Sequence, residues 1–390
     1  METVSFKTKT MFTNRSDKQL KGVYPVALDI GYSGVKIFSP NKVGVFPSYA
    51  RPYVNNGTVG KLPDDYIVYK DLDSGENWLV GNMAQTDVNV NEAIDSDEAI
   101  YGRQRYFDPM FKVISRVGLG IAMMPNKYAE IGSRRLVVQT GLPPKYTSDS
   151  TILRQVLSGT HNFSVQIGSN KPVEFHFELK PEDIHIIIQP MGTLYSAAIN
   201  SEHRFTNAST EYLSKNVLIF DAGFGTFDLF LIKNHSIKNS ESFSNLGMKQ
   251  VFKETSDAIY QKYGEKVSVS EMQRLLKTGY VRTFDRQTFS TKDEPFGDLL
   301  EAASEKVCMN AIEKMAQIYP LQEMDYLIIT GGTGAAWENM IRSKFKNMQT
   351  LNILSGNQNE TTLPFVFANA RGYYMYLFSI LEKEIMQKEG

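Results

Sequence analysis

One pattern occurs twice in this 390-residue chain. The apolar run Val26-Ala-Leu-Asp29 ends in an aspartate, turns through Gly31-Tyr-Ser-Gly34 and returns as Val35-Lys-Ile-Phe38. Val217-Leu-Ile-Phe-Asp221, Gly223-Phe-Gly225 and Phe227-Asp-Leu-Phe-Leu-Ile232 repeat the same plan. The offset is 221 − 29 = 192 residues, nearly half the chain. Each copy reads as a β-hairpin with glycines at its tip. A chain this long exceeds one ordinary core, so two related α/β halves are expected. Neither G-x-x-x-x-G-K-[ST] nor G-x-G-x-x-G is present, which removes the two commonest phosphate loops.

Two such hairpins facing each other form a clamp for phosphate. Tight turns present backbone N–H groups to phosphate oxygens, and glycine lets the backbone come close. Ser33 and Thr226 add hydroxyl donors. Carboxylates do not sit comfortably on phosphate, so Asp29 and Asp221 are expected to hold a hydrated Mg²⁺ through its waters. An isolated Asp-Gly would simply serve a turn; the duplication and a third glycine motif favour the clamp. That third motif is Ile328-Ile-Thr-Gly331-Gly-Thr-Gly334, before a helix expected over Ala335–Phe345. Its glycine pair lets a flat base and ribose lie on the backbone beside a helix N-terminus. Asp228, on the second returning strand, either reaches the phosphate end or sits on a hairpin surface.

Composition narrows the remaining classes. Forty-two basic and 43 acidic side chains leave a formal charge of −1, so a surface for direct nucleic-acid binding is not advertised. Cys308 is the only cysteine, which rules out an internal disulfide and fits a reducing cytoplasm. No apolar run approaches the roughly 20 residues that span a bilayer, and the start carries no secretory signal pattern. The five histidines, His161, His176, His185, His203 and His235, show no metal-ligand spacing.

The three motifs, in this order, resemble the phosphate-1, phosphate-2 and adenosine motifs of the actin, heat-shock chaperone and sugar-kinase ATPase superfamily. Gln189-Pro-Met-Gly-Thr-Leu-Tyr-Ser-Ala-Ala198 is similar to its first connecting motif, and Phe367-Ala-Asn-Ala-Arg-Gly372 to its second. Trp78-Leu-Val-Gly81-Asn-Met-Ala84 and Gln139-Thr-Gly141-Leu-Pro143 resemble segments of the ParM-type and Alp-type bacterial actins. The resemblance implies an actin-like fold of two related domains, each a mixed sheet flanked by helices, with a nucleotide cleft between them. Residues 1–23 would be an N-terminal arm, flexible or added as an edge segment. Domain I would hold 24–200 plus 365–390, with an outer insertion at about 45–135. Domain II would hold 201–364, with an outer insertion at about 247–300.

It further implies an ATPase that binds ATP/ADP and Mg²⁺ and polymerises into dynamic filaments. These would segregate plasmid or other DNA through a ParR-like DNA-binding adaptor on a centromere-like site. Catalytic roles would fall to Asp29, Asp221 and Gln189, the last positioning the attacking water where many family members carry a glutamate. Nucleotide contacts would come from Gly31, Tyr32, Ser33 and Gly34, from Gly223, Phe224, Gly225 and Thr226, and from Gly331, Gly332 and Thr333. Gly247, in a turn similar to the one near the ribose, and Arg274 and Lys277, on a stretch like the helix that sandwiches the base, complete the set. The alternatives are a small-molecule kinase of the same superfamily, which needs a catalytic Asp and sugar pocket, and a membrane-linked scaffold of the FtsA kind, which needs an amphipathic anchor.

Overall fold

Two central sheets share one topology. The computed structural model describes residues 3–54, 60–86, 103–126 and 131–389. Residues 1–2 of the expected arm, and 55–59, 87–102 and 127–130 of the first expected insertion, lie outside the described residues. The first sheet runs β1 (Met11–Asn14), β4 (Lys42–Pro47), β3 (Gly34–Phe38), β2 (Val23–Ile30), β8 (Arg135–Leu142), β11 (Ile184–Ile188). The second runs β14 (Ser236–Phe243), β13 (Phe227–Lys233), β12 (Val217–Ala222), β17 (Tyr326–Thr330), β18 (Asn352–Ser355). In each, an antiparallel hairpin (β2/β3 or β12/β13) is extended by two parallel strands on the far side. The duplication legible in the sequence is thus a duplication of topology.

Burial explains the composition of these strands. All eight residues of β2 and all six of β12 are buried. A strand covered on both faces reads as a continuous apolar run. The helix Pro109–Met123, capped by the Asp108 carboxylate on the Met110 N–H, lies on one face of the first hairpin. Gly118 on that helix sits against Leu28 and Val35. The C-terminal helix Ala368–Glu389 covers the other face. The edge strands β1 and β14 are the more exposed ones.

The outer sheet corrects one expected boundary. Its order is β10 (Val173–Leu179), β9 (Gly159–Ile167), β6 (Ile67–Asp71), β7 (Asn77–Val80), β5 (Ala50–Pro52). The unit therefore does not end near residue 135; the 159–179 hairpin completes it, because β9 pairs along β6 from Ile167↔Ile67 to Phe163↔Asp71. On the second half, the helix Met248–Tyr263 packs on the helices Gly297–Ile318 and Val269–Leu275, and these share one core with β12, β13 and Val281 of the hairpin β15 (Tyr280–Asp285)/β16 (Ser290–Pro295). Among the described residues no helix is long and apolar enough to cross a membrane.

Two helices join the halves. Gln189–Ala198 leaves the end of β11 and crosses Ala368–Glu389. Glycines make the crossing tight: a Cβ on Gly192 would meet Asn369 O at 2.8 Å, and one on Gly372 would meet the Gly192 carbonyl carbon at 2.6 Å. Arg371 is fully buried beside the crossing. It donates to Ser196 O (2.8 Å), Ile199 O (3.1 Å) and Glu360 Oε2 (2.8 Å).

Candidate nucleotide site

The two hairpins close in the same way. The Gly31 N–H donates to Gly34 O at 3.1 Å, and the Gly223 N–H donates to Thr226 O at 2.9 Å. Their tips meet, since a Cβ on Gly225 would fall 2.8 Å from the Tyr32 ring. Beside them lies a cavity of about 340 Å³ between the two halves, within the size range of small-molecule sites. Gly31, Tyr32 and Ser33 line it from the first hairpin, and Gly223, Phe224 and Thr226 from the second. Gly331, Gly332 and Thr333 line a further wall. Gly34 and Gly225 instead hold the turns, and Gly225 faces a second recess.

Asp29 and Asp221 reach the cavity from opposite sheets, with 2% and 7% exposure. Hairpin register decides their company. Lys36 stands across from Asp29, and its Nζ is 3.2 Å from Oδ2. Asp228 stands across from Asp221, so the second hairpin buries two carboxyls side by side. Like charges opposed on one sheet face raise each other's pKa. Burial pushes Asp221 up to about 6; the Asn369 hydrogen bond opposes this, and the charge of Asp29 adds to it. Burial and then the charge of Asp221 push Asp228 up to about 7. Asp228 is 3% exposed and lines the cavity, which excludes the surface-hairpin reading.

Gln189 is the first residue of its helix, not the last of the preceding strand. Its Nε2 donates to Asp29 Oδ1 at 3.1 Å, and the side chain lines the cavity. The other connecting helix acts likewise. Asn369 Nδ2 donates to Asp221 Oδ2 at 3.0 Å, and Asn369 Oδ1 accepts from the Thr193 hydroxyl at 2.8 Å. Both carboxylates are therefore gripped by the helices that join the halves.

Gly331 has φ +83°, and a Cβ there would fall 2.8 Å from Asp221 Oδ1. A side chain would be strained and would crowd the carboxylate, so glycine is required. The helix consequently starts at Gly332, ahead of the expected Ala335, and the Thr333 hydroxyl donates to Gly223 O at 2.7 Å. Gly247 also touches the second hairpin, whose carbonyls Gly223 O and Phe224 O accept from the next two N–H groups, of Met248 and Lys249.

Arg274 and Lys277 are corrections. Both are exposed, Arg274 is paired with Glu271 at 2.9 Å, and neither lines the cavity. The solvated face of the helix Val269–Leu275 accounts for Arg274, and the exposed turn after it for Lys277. The residues missed are Lys36, Asn369 and Arg105. Arg105 is buried, donates to Ile30 O at 3.0 Å and lies 4.9 Å over the Tyr32 ring. Hairpin register could have revealed Lys36; nothing local marks Arg105.

Four buried polar atoms without a protein partner gather around this site: Thr140 Oγ1, Asp228 Oδ1, Thr330 Oγ1 and the Tyr373 hydroxyl. Facing carboxylates, one of them raised by burial, and unsatisfied oxygens fit a hydrated cation. Among the described residues no group of three or more His, Cys, Asp or Glu side chains is placed to hold a metal ion.

The family described as actin-like proteins, N-terminal domain, matches residues 27–192. Solved structures match nearly the whole chain. A pCBH ParM non-polymerisable quadruple mutant shares 19% identity at TM-score 0.69, covering 91% of this chain and 99% of its own. A 15-stranded ParM filament from Clostridium botulinum shares 17% at TM-score 0.69, with the same coverage. The archaeal actin homologue Ta0583 in complex with ADP shares 17% at TM-score 0.57, again covering 91% and 99%. No curated protein matches the sequence. The fold is that of the actin-like proteins, two related halves around a cleft. Within that class, residues 27–192 match the actin-like N-terminal domain, and the chain shares its fold with the ParM structures.

Proposed function

We propose that this chain binds ATP and ADP with Mg²⁺ between its two hairpins, hydrolyses ATP, and assembles into filaments that segregate DNA. The observation that carries the reading is the convergence of Asp29, Asp221, Gln189 and the Gly331 turn on one cavity between the halves. Two relatives in fold support it, one solved as a filament and one with ADP. Asp29 and Asp221 would hold Mg²⁺ through water, and the bound ion would offset phosphate charge. The amide of Gln189 donates to Asp29, which leaves its Oε1 to accept from a water and orient it. Lys36 and Arg105 supply fixed positive charge beside the first hairpin.

Filament assembly follows from the hinge. A ligand touching both hairpins fixes the angle between the halves, and a fixed subunit presents matching ends for head-to-tail contacts that do not close. The cargo would be plasmid or other DNA, reached through a ParR-like DNA-binding adaptor on a centromere-like site, in the cytoplasm. Asp221→Ala tests the site. It is expected to abolish Mg²⁺-dependent hydrolysis while circular dichroism and the melting curve stay those of a folded protein. Wild-type turnover with normal magnesium dependence would overturn the assignment.

A further inference from the structure

The segment before β1 joins the two halves across the mouth of the cavity. Thr3–Phe6 form one turn of 3₁₀ helix, and Met11–Asn14 form β1. The downstream end belongs to the first half: β1 pairs with β4 from Met11↔Val45 to Asn14↔Lys42, and the Thr10 hydroxyl accepts from Asn82 Nδ2 at 3.1 Å. The upstream end belongs to the second half. Phe6 is 7% exposed, in the core that holds Met272, Leu275 and Leu276. The Thr3 hydroxyl donates to Leu276 O at 2.8 Å, and the Thr8 N–H donates to Gln273 Oε1 at 3.4 Å.

The crossing therefore falls at Thr8 and Lys9: the Thr8 N–H reaches Gln273 while its methyl lies beside Gly34 of β3, and the next anchor is at Thr10. Two Cα steps reach at most about 7 Å, so these anchors cannot separate without breaking one of them. Ser5 through Lys9 also line the same cavity as Asp29, Asp221 and Gly331. Opening the cleft requires the segment to yield.

We propose that residues 3–10 are a latch, with Phe6 as its positioning residue, that ties the second half to the first-sheet edge across the cavity and gates nucleotide exchange. The proposal rests on the nucleotide reading of the cavity. A latch of this kind slows release more than chemistry, because release needs the halves to part. Lys7 and Lys9 line the cavity together with Lys36.

The test is release of a fluorescent ATP analogue, chased by excess ATP in a stopped-flow instrument, from the full chain with Mg²⁺. Two variants act on different parts of the latch. Phe6→Ala removes the anchor, and Phe6→Leu keeps an apolar one. Inserting Gly-Ser-Gly-Ser between Lys9 and Thr10 keeps both anchors and lengthens the crossing. Release is expected to quicken by at least about tenfold in Phe6→Ala and in the insertion variant, and to stay near wild type in Phe6→Leu. Unchanged release in the insertion variant would overturn the latch while leaving the nucleotide site standing. Tighter binding in Phe6→Ala would overturn it too, since the segment would then be a competitor for the cavity. Failure of the wild-type protein to bind the analogue would sink the nucleotide reading itself, and the latch with it.

Discussion

Gly372→Ala sets two effects of opposite sign against each other. Gly372 lies inside the helix Ala368–Glu389, where alanine normally stabilises by about 1 kcal/mol over glycine. Here the new Cβ would fall 2.6 Å from the Gly192 carbonyl carbon and 2.8 Å from Ser196 N, and closer still to Gly192 O. Carbon contacts relax only at about 3.5–4.0 Å, so the 2.6 Å contact alone requires the helices to part by about 1 Å, and the Gly192 oxygen requires more. All three obstacles are backbone atoms of the crossing helix and cannot swing aside. Overpacking costs about 1–3 kcal/mol when neighbours adapt, and more when they cannot. The clash wins, with a net loss of about 2 kcal/mol. With entropies near 2.1 cal/mol/K per residue, that lowers the melting temperature by about 2–5 °C, the larger figure applying if the halves melt separately.

The consequence for chemistry is larger than the one for stability. The same two helices carry Gln189 to Asp29 and Asn369 to Asp221. A shift of about 1 Å at their crossing misplaces both contacts and is expected to cut hydrolysis by about 10²-fold. Differential scanning fluorimetry reads the first effect, and a coupled phosphate-release assay the second. A variant that melts at or above the wild-type temperature would show that propensity outweighs the clash and would refute the tight crossing.

Gln189→Ala is expected to slow hydrolysis by about 10²–10⁴-fold and leave ATP affinity nearly unchanged, as single-turnover and equilibrium binding assays would show; lost binding with intact single-turnover chemistry would make the residue structural. His161 gives a pH prediction. Its Nδ1 accepts from Arg116 Nε at 3.2 Å and its Nε2 donates to Leu157 O at 3.1 Å, so the folded state keeps the ring neutral, and burial lowers its pKa to about 4. The unfolded chain takes up a proton near pH 6.5, so stability is full above about pH 6.5 and falls as pH drops towards 4. His161→Gln should flatten the change in melting temperature between about pH 7 and pH 5, and an unaltered slope would contradict the neutral ring.

The central features were legible because they are local. Asp29 and Asp221 close apolar strands, and their glycine turns follow at once, so strand, turn and carboxylate sit together in one dozen-residue window. Less local facts were not. Lys36 becomes a site residue only through its register opposite Asp29, and Asp228 through its register opposite Asp221. Arg105 arrives from a distant segment, and the 159–179 hairpin completes an outer sheet begun with β5, more than a hundred residues earlier. Arg274 and Lys277 show the converse. A helix was expected there, but the side of it that is buried is set by packing of Met272, Leu275 and Leu276 in the core, not by charge.

Whether nucleotide controls self-assembly is tested most directly by high-speed sedimentation of the full chain with Mg²⁺, with and without a non-hydrolysable ATP analogue. The ligand should bridge the hairpins at Asp29–Gly34 and Asp221–Thr226 and fix the subunit for head-to-tail growth, so protein is expected in the pellet with the analogue and in the supernatant without it. Protein that stays monomeric with the analogue at concentrations well above micromolar, across a range of salt, would contradict the filament reading.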